Sequence, residues 1–258
     1  MNLSAAPAPG LTLSLIGIGC GDPDQLTLSG IRAINAADLI LIPRKGEEKK
    51  ELADLRRMIC ARVLKNDTTR LVEFDLPARD SGEADYRRGV DDWHEAVAAT
   101  WSREIERHLG KRGRVALLIW GDPALYDSSL RIARRLDPSP TIDVVPGVTS
   151  IAALCAAHAL PINEIGEAFL VTTGRRLREE GWPTGVDTVV VMLDAGAAFQ
   201  SVDPAGLQIW WGAYLGMANQ MLMSGSLAEM GPRIVAARAS AREQHGWIMD
   251  SYILKRGQ

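Results

Sequence analysis

The sequence predicts an α/β protein made of two αβ domains, a parallel-sheet N-terminal domain over 11–123 and a mixed-sheet C-terminal domain over 124–258. Three observations predict it. Short apolar runs alternate with amphipathic stretches through the first half, a pattern that gives a parallel sheet covered by helices on both faces. In the second half strands crowd together with fewer helices between them, as in a mixed sheet. Glycine-bearing turns follow several apolar runs, and the ends of strands are where an α/β sheet binds ligands.

The elements follow in order. "LTLSLIG" (11–17) reads as a first strand. From Asp24 to Ala37, apolar Leu28, Ile31, Ile34 and Ala37 recur at helical spacing. "DLILIP" (38–43) is a buried strand, and Leu52, Leu55, Ile59 and Val63 mark a second amphipathic helix. "TRLVEFD" (69–75) is a strand, a long helix lies within Glu83–Leu109, and "RVALLIW" (114–120) is the strand that closes this half.

Beyond it, "SSLRIARRL" is helical, "TIDVV" (141–145) is a strand and "GVTSIAALCAAHAL" is a helix of small residues. Strands are expected at "EAFLVTT" (167–173), "DTVVVML" (187–193) and "LQIWWGAYL" (207–215). A helix ending near Gln244 leads to the last strand, "HGWIMDSYIL". Trp210 and Trp211 are adjacent in a strand, so their side chains face opposite ways and one of them belongs to a core. Trp93 and Trp101 share a helix and are expected to pack on the sheet.

Composition narrows the class. The chain has 258 residues, 47% hydrophobic and 24% charged, which is globular composition with apolar content for two modest cores or one large one. Net charge is -3, from 29 basic and 32 acidic residues, and this argues against a dedicated nucleic-acid binder. Cys20, Cys60 and Cys155 are scattered and form no CxxC motif, and the four histidines are equally dispersed. Neither a disulfide framework nor a metal site is expected, and a reducing cytoplasm suits the thiols. "MNLSAAPAPG" has no basic leader region and reads as a disordered tail over 1–10. The apolar run from Leu11 to Ile18 is too short to span a membrane.

Two strand ends carry the same three residues. Gly17-Ile-Gly19-Cys20-Gly21-Asp22-Pro23 follows the first strand, and Gly121-Asp122-Pro123 follows "RVALLIW". Glycine admits positive φ and close backbone approach, Asp22 suits a helix cap, and Pro23 suits a first helical turn. A strand, a glycine loop and a helix start make a ligand cradle; a tight turn with no ligand is the plain alternative. A dinucleotide fingerprint is not met. Asp22 stands where its third glycine would be, and the second strand ends in Pro43-Arg44 without an acidic residue for a ribose. No P-loop lysine follows either. A third turn, Pro146-Gly147-Val148-Thr149-Ser150, follows "TIDVV". Three such strand ends along one sheet edge are able to share a ligand.

At "GIGCGDPDQLTLSG", "WGDPALYDSS", "VVPGVTSIAA" and "DTVVVMLDAG" the chain resembles the tetrapyrrole methylases, and the likeness runs over nearly all of it from residue 11. The resemblance implies the two-domain αβ fold of that family, with S-adenosyl-L-methionine in the cleft between the domains, S-adenosyl-L-homocysteine as its product and no metal. "DSSLRI", "VTTGRRL", "WWGAYLG" and "GWIMDSYIL" narrow it to the branch that methylates precorrin-5 at ring carbon 1 and releases the acetyl group as acetate. Carried over residue by residue, Gly121, Asp122 and Pro123 match the main donor contact, with Tyr126 just beyond; Thr149 and Ser150 match a second. Met192 and Leu193 match a third, where many members have methionine at the position of Leu193, and Gly225 matches a late glycine contact. Cys20, also a donor-contact candidate, replaces the usual proline of the first loop, whose Gly19 and Gly21 border the tetrapyrrole. A cytoplasmic homodimer is usual for the family.

Methyl transfer from a sulfonium is an in-line displacement needing alignment and a dry site. Loss of acetyl needs a general base for water, or a substrate carboxylate acting in its place. Asp22 is the first candidate, with a plain cap as its alternative role; Tyr126 and Asp194 follow. The substrate is a polyanion, so cations should gather near it. Arg44 and Lys45 are best placed, then Arg79, Arg87, Arg175 and Arg176, each equally able to be a solvated surface charge. The competing readings are a sibling acting on another precorrin, a modified histidine or ribosomal RNA; a nicotinamide-dependent reductase; and a non-catalytic binding module.

Overall fold

The computed structural model describes residues 10–44, 50–79, 82 and 85–257. They divide into two compact units: one runs up to Gly19 and from Pro23 to Val148, the other comprises Cys20–Asp22 and the chain from Thr149 onward.

The first unit alternates strand and helix. β1 (Leu11–Gly17), α1 (Leu28–Ala36), β2 (Leu39–Arg44), α2 (Lys50–Val63), β3 (Arg70–Asp75), α3 (Tyr86–His108), β4 (Gly113–Ile119), α4 (Ser129–Ala133) and β5 (Thr141–Val145) follow one another. All five strands are parallel, in the order β3-β2-β4-β1-β5. The path steps outward from β1 to β3 and then returns, so right-handed crossovers put α1 and α2 on one face and α3 and α4 on the other. Side chains alternate across the sheet to match. Leu13, Leu15, Val115 and Leu117 pack with Val97, Trp101 and Ile105 of α3 and Ile132 of α4. Ile16, Ile40, Ala116 and Leu118 pack with Ile34 of α1 and Leu55, Ile59 and Cys60 of α2. Trp101 and Trp93 both lie on the α3 side of the sheet.

Two expectations change here. The boundary between units falls after Val148 instead of after 123, because β5 pairs with β1 and completes the first sheet. Asp22 does not cap α1. A 3-10 turn, Pro23–Gln25, intervenes, and Thr27 caps the helix by accepting the Gly30 N–H at 3.0 Å. Residues 1–9 of the expected tail lie outside the described residues.

The second unit opens with α5 (Ser150–Ala157) and continues through β6 (Phe169–Thr173), α6 (Gly174–Glu180), β7 (Thr188–Met192), β8 (Leu207–Ala213), β9 (Met221–Ser226), α7 (Leu227–His245) and β10 (Asp250–Arg256). Its sheet runs β6-β7-β10-β8-β9, with β6 and β7 parallel and the other pairs antiparallel. Trp211 is fully buried, while Trp210 on the opposite face lies under the Lys255 ammonium. Ser226 caps α7: the Glu229 N–H donates to Ser226 Oγ at 3.4 Å, and that hydroxyl donates to Glu229 Oε2 at 2.9 Å. It ends at Gly246 in the left-handed region. No helix among the described residues is long and apolar enough to cross a membrane.

Candidate active site

In the first unit β1 and β4 are neighbours whose outgoing connections leave on opposite faces, through α1 and α4. Such a pair opens a crevice at its carboxyl ends. Both Gly-Asp-Pro turns begin there. The Gly121 N–H donates to Gly19 O at 2.8 Å, and the Gly19 N–H donates back to Gly121 O at 3.3 Å. The Pro146-Gly147 turn, after β5, packs into the same place with no room for a side chain. A Cβ on Gly147 would lie 2.2 Å from Gly121 O and 2.7 Å from Gly17 C. Glycine at 17 and 147 is therefore a requirement of backbone packing.

The Asp122 carboxylate fastens this arrangement. Oδ1 accepts the Ala124 N–H at 2.7 Å and Oδ2 accepts the Gly147 N–H at 2.9 Å. One side chain thus ties the end of β4 to the turn after β5. Gly121 itself has φ 65° and open space where a Cβ would be. Tyr126, five residues on, also has positive φ, 50°, and is exposed. Pro123 is buried between them.

Thr149 caps α5, accepting the Ala152 N–H at 3.2 Å. The next residue, Ser150, buries its hydroxyl oxygen without any hydrogen-bond partner among the described residues. An unsatisfied buried hydroxyl costs about 1–3 kcal/mol, which marks it as a place for a missing partner.

The second unit places its candidates on a braced loop after β7. Met192 ends the strand half-buried; Leu193 is 64% exposed with φ 52°. The brace is Asp194. Its buried carboxylate accepts the Gly196 N–H at 3.0 Å, the Ala198 N–H at 2.6 Å and the Tyr252 hydroxyl at 2.8 Å. Buried Arg238 donates to the Asp194 main-chain carbonyl and pairs with Asp250 Oδ2 at 2.9 Å, which also accepts from Trp211 Nε1 at 2.7 Å. Burial raises the Asp250 carboxyl above its ordinary range, with Arg238 pulling the other way. Asp194 is therefore a structural anchor, and its candidacy for activating water is withdrawn: it is buried, and both its oxygens accept hydrogen bonds inside the core. Gly225, in β9, has φ 148° and lies against Met230.

The first loop differs. Gly21 has φ 137°, and a Cβ there would lie 2.4 Å from Met217 Cγ. Cys20 is buried, and burial pushes its thiol up to about 12. Its side chain is thus a neutral packing group, and only its backbone is left for a ligand. Asp22 is half-buried.

Of the cations, Arg44 is exposed and already paired, to Asp75 at 3.0 Å and Glu73 at 4.0 Å. Lys45 lies outside the described residues. Arg176 pairs with Glu180 on its own helix. A cation that the sequence reading passed over is Arg56, set on the same face of α2 as Leu52, Leu55, Ile59, Cys60 and Val63. A charge at an apolar-face position is the signal that finds it. Burial lowers its guanidinium to about 10, partly offset by Asp127.

Comparison with known proteins gives a consistent result. Residues 12–231 match the sequence profile of the tetrapyrrole (corrin/porphyrin) methylases. Precorrin-6A synthase [deacetylating] from Sinorhizobium sp is 45% identical over 247 residues, covering 94% of each chain. Precorrin-2 C(20)-methyltransferase from the same source is 27% identical over 170 residues, 64% of this chain and 65% of that one. Among solved structures, a cobalamin synthesis related protein from Corynebacterium diphtheriae superposes with TM-score 0.81 at 35% identity, covering 96% of this chain and 99% of that one. Uroporphyrin-III C-methyltransferase from Thermus thermophilus, complexed with S-adenosyl homocysteine, shares the fold at TM-score 0.58 and 21% identity over 95% of this chain and 97% of that one. With strand ends, turns and profile in agreement, the chain belongs to the tetrapyrrole methylase family.

Proposed function

We propose that this protein is an S-adenosylmethionine-dependent C-methyltransferase of cobalamin synthesis, methylating precorrin-5 at ring carbon 1 with loss of the acetyl group as acetate to give precorrin-6A. The single observation that carries the choice of reaction is 45% identity across 94% of the chain to a precorrin-6A synthase.

The chain's own residues suit the donor. Gly121 has open space where a side chain would be, and Ser150 offers an unspent buried hydroxyl. Thr149 follows Gly147 by two residues, and two residues of chain span no more than about 7 Å. In this reading Gly121, Asp122, Pro123, Tyr126, Thr149, Ser150, Met192, Leu193 and Gly225 hold S-adenosylmethionine, with Cys20 contributing backbone only. When bound, that group supplies an electrophilic methyl. Asp122 acts through the turn it fastens, since both its oxygens are occupied. Asp194 acts likewise, holding Leu193 in a left-handed conformation that presents its main chain.

The protein's remaining task is to set an electron-rich ring carbon in line with that methyl and to deliver water to the acetyl carbonyl. Gly19 and Gly21 keep the first loop low against the macrocycle, and Asp22 is the group proposed to take the proton from water, with Tyr126 as its alternate. Arg44 would exchange its exposed partners Asp75 and Glu73 for substrate carboxylates; Lys45 is the second such cation. A cytoplasmic homodimer completes the proposal, the former favoured by three free thiols. The test is incubation with S-adenosylmethionine and each precorrin in turn, following new methyl groups and free acetate by mass. Precorrin-5 should yield both in equal amounts; methylation of a different precorrin without acetate replaces this assignment with a sibling's.

A further inference from the structure

Arg56 and Trp120 both lie by the end of β4, and each keeps a nitrogen without a hydrogen-bond partner among the described residues. The register between β2 and β4 ends at Leu41 opposite Leu117, so the Leu118 carbonyl receives no ladder bond from β2. Arg56 takes the place of the ladder: its Nε donates to Leu118 O at 2.9 Å, and its Nη1 donates to Leu52 O at 2.9 Å. The remaining nitrogen, Nη2, makes no hydrogen bond among the described residues, and no carboxylate among them lies within ion-pair distance. Asp127 is the carboxylate whose field Arg56 feels, but its Oδ1 accepts the Ser129 N–H at 2.6 Å. Trp120 is two residues beyond Leu118, just past the end of β4. It packs against the same core cluster as α2 and buries Nε1 with no partner.

A fixed cation and a neutral N–H are thus left unspent around the end of β4, just before the Gly121 turn. A buried N–H without an acceptor costs about 1–3 kcal/mol. Main-chain carbonyls position the guanidinium without neutralising it. Its planar fork, held at two nitrogens, aims the third, a geometry suited to a carboxylate.

We propose that Arg56 and Trp120 form a receptor for a single carboxylate arm of the macrocyclic substrate, Arg56 supplying the charge and Trp120 Nε1 a second hydrogen bond. This rests on the reading above that the substrate is a polycarboxylate. The methyl donor also carries a carboxylate, and the experiment separates the two sources.

Arg56→Met keeps the length of the side chain and removes the charge, Arg56→Lys keeps the charge and removes the fork, and Trp120→Phe removes only the N–H. Each is titrated with S-adenosylhomocysteine by calorimetry and assayed with precorrin-5 for KM and kcat. Charge-assisted hydrogen bonds contribute about 1.5–3 kcal/mol, which converts to a KM rise of about 10–150-fold for Arg56→Met. Arg56→Lys should recover part of it, and Trp120→Phe should raise KM by about 3–10-fold. Affinity for S-adenosylhomocysteine should stay within about twofold of the parent, since the donor's contacts are untouched. Unchanged KM in Trp120→Phe and Arg56→Met overturns the receptor. Weakened uptake of S-adenosylhomocysteine with unchanged KM overturns it too, assigning the site to the donor. If the parent protein does not turn over precorrin-5, the reading of the substrate falls; the same variants are then titrated with uroporphyrin III as a polycarboxylate probe, where a loss in Arg56→Met and Trp120→Phe upholds the receptor and equal binding overturns it.

Discussion

The two Gly-Asp-Pro turns share a sequence and differ in what holds them. At Gly121 the aspartate reaches out, and its two oxygens take N–H groups from the turn itself and from Gly147. The glycine there faces open space. At Gly21 the space is closed by Met217, and residues 20–22 group with the second unit although they sit between two elements of the first. One turn is a ledge tied by its own carboxylate; in the other, a side chain packs against the glycine. Identical residues therefore do not imply identical roles, and the ledge suits a cofactor that must be seated the same way every cycle.

The sharpest way to break this comparison is to add one methyl group at each turn. In Gly147→Ala the new Cβ falls 2.2 Å from a main-chain oxygen that has nowhere to go. The expected loss is about 3 kcal/mol in a denaturant titration of the first unit's unfolding. Gly21→Ala meets a flexible Met217 side chain and a strained φ, for a loss of about 1–2 kcal/mol. Equal losses would mean that the two turns are fastened alike.

The aspartates separate the turns a second way. Asp122→Ala leaves the Ala124 and Gly147 N–H groups without their acceptor, at about 2 kcal/mol, and should weaken uptake of S-adenosylhomocysteine in the same protein. Asp22→Asn should leave that uptake intact and slow acetate release by about 10-fold or more. Unchanged turnover in Asp22→Asn removes it from the reaction.

Thiol chemistry gives the smallest effect. Burial holds the Cys20 thiol at about 12 and Cys60 at about 11, against an ordinary value of 9. Above the ordinary value the native state keeps protons that the unfolded chain has lost. Stability should therefore fall as pH rises from 9 through these native values. At pH 8 an alkylating reagent should spare Cys20 and Cys60 in the folded protein, and half-buried Cys155 should react first. Fast labelling of Cys20 would mean the first loop is open.

Much of this was legible in the sequence, for physical reasons. The first sheet's strands are apolar runs bounded by glycine, proline or charge, and burial on both faces enforces that pattern. β9 went unread because "MLMSGS" has no β-branched residue and carries a glycine, both poor strand signals. Its place comes from pairing with β8, a tertiary effect. The boundary was set too early because a strand that ends one sheet and a strand that begins another look the same in isolation. Asp22 fitted a cap, but the 3-10 turn moved the helix start to Thr27. The roles of Asp122, Asp194 and Arg56 rest on partners 25 to 62 residues away and have no local signature.

The most direct test of the ledge is calorimetric titration of S-adenosylhomocysteine into the parent protein, Gly121→Val and Asp22→Asn. The account predicts equal affinity for the parent and Asp22→Asn, and a loss of about 100-fold or more in Gly121→Val, where a branched side chain fills the open space and takes a strained φ. Full affinity in Gly121→Val, or no uptake by the parent, would contradict it.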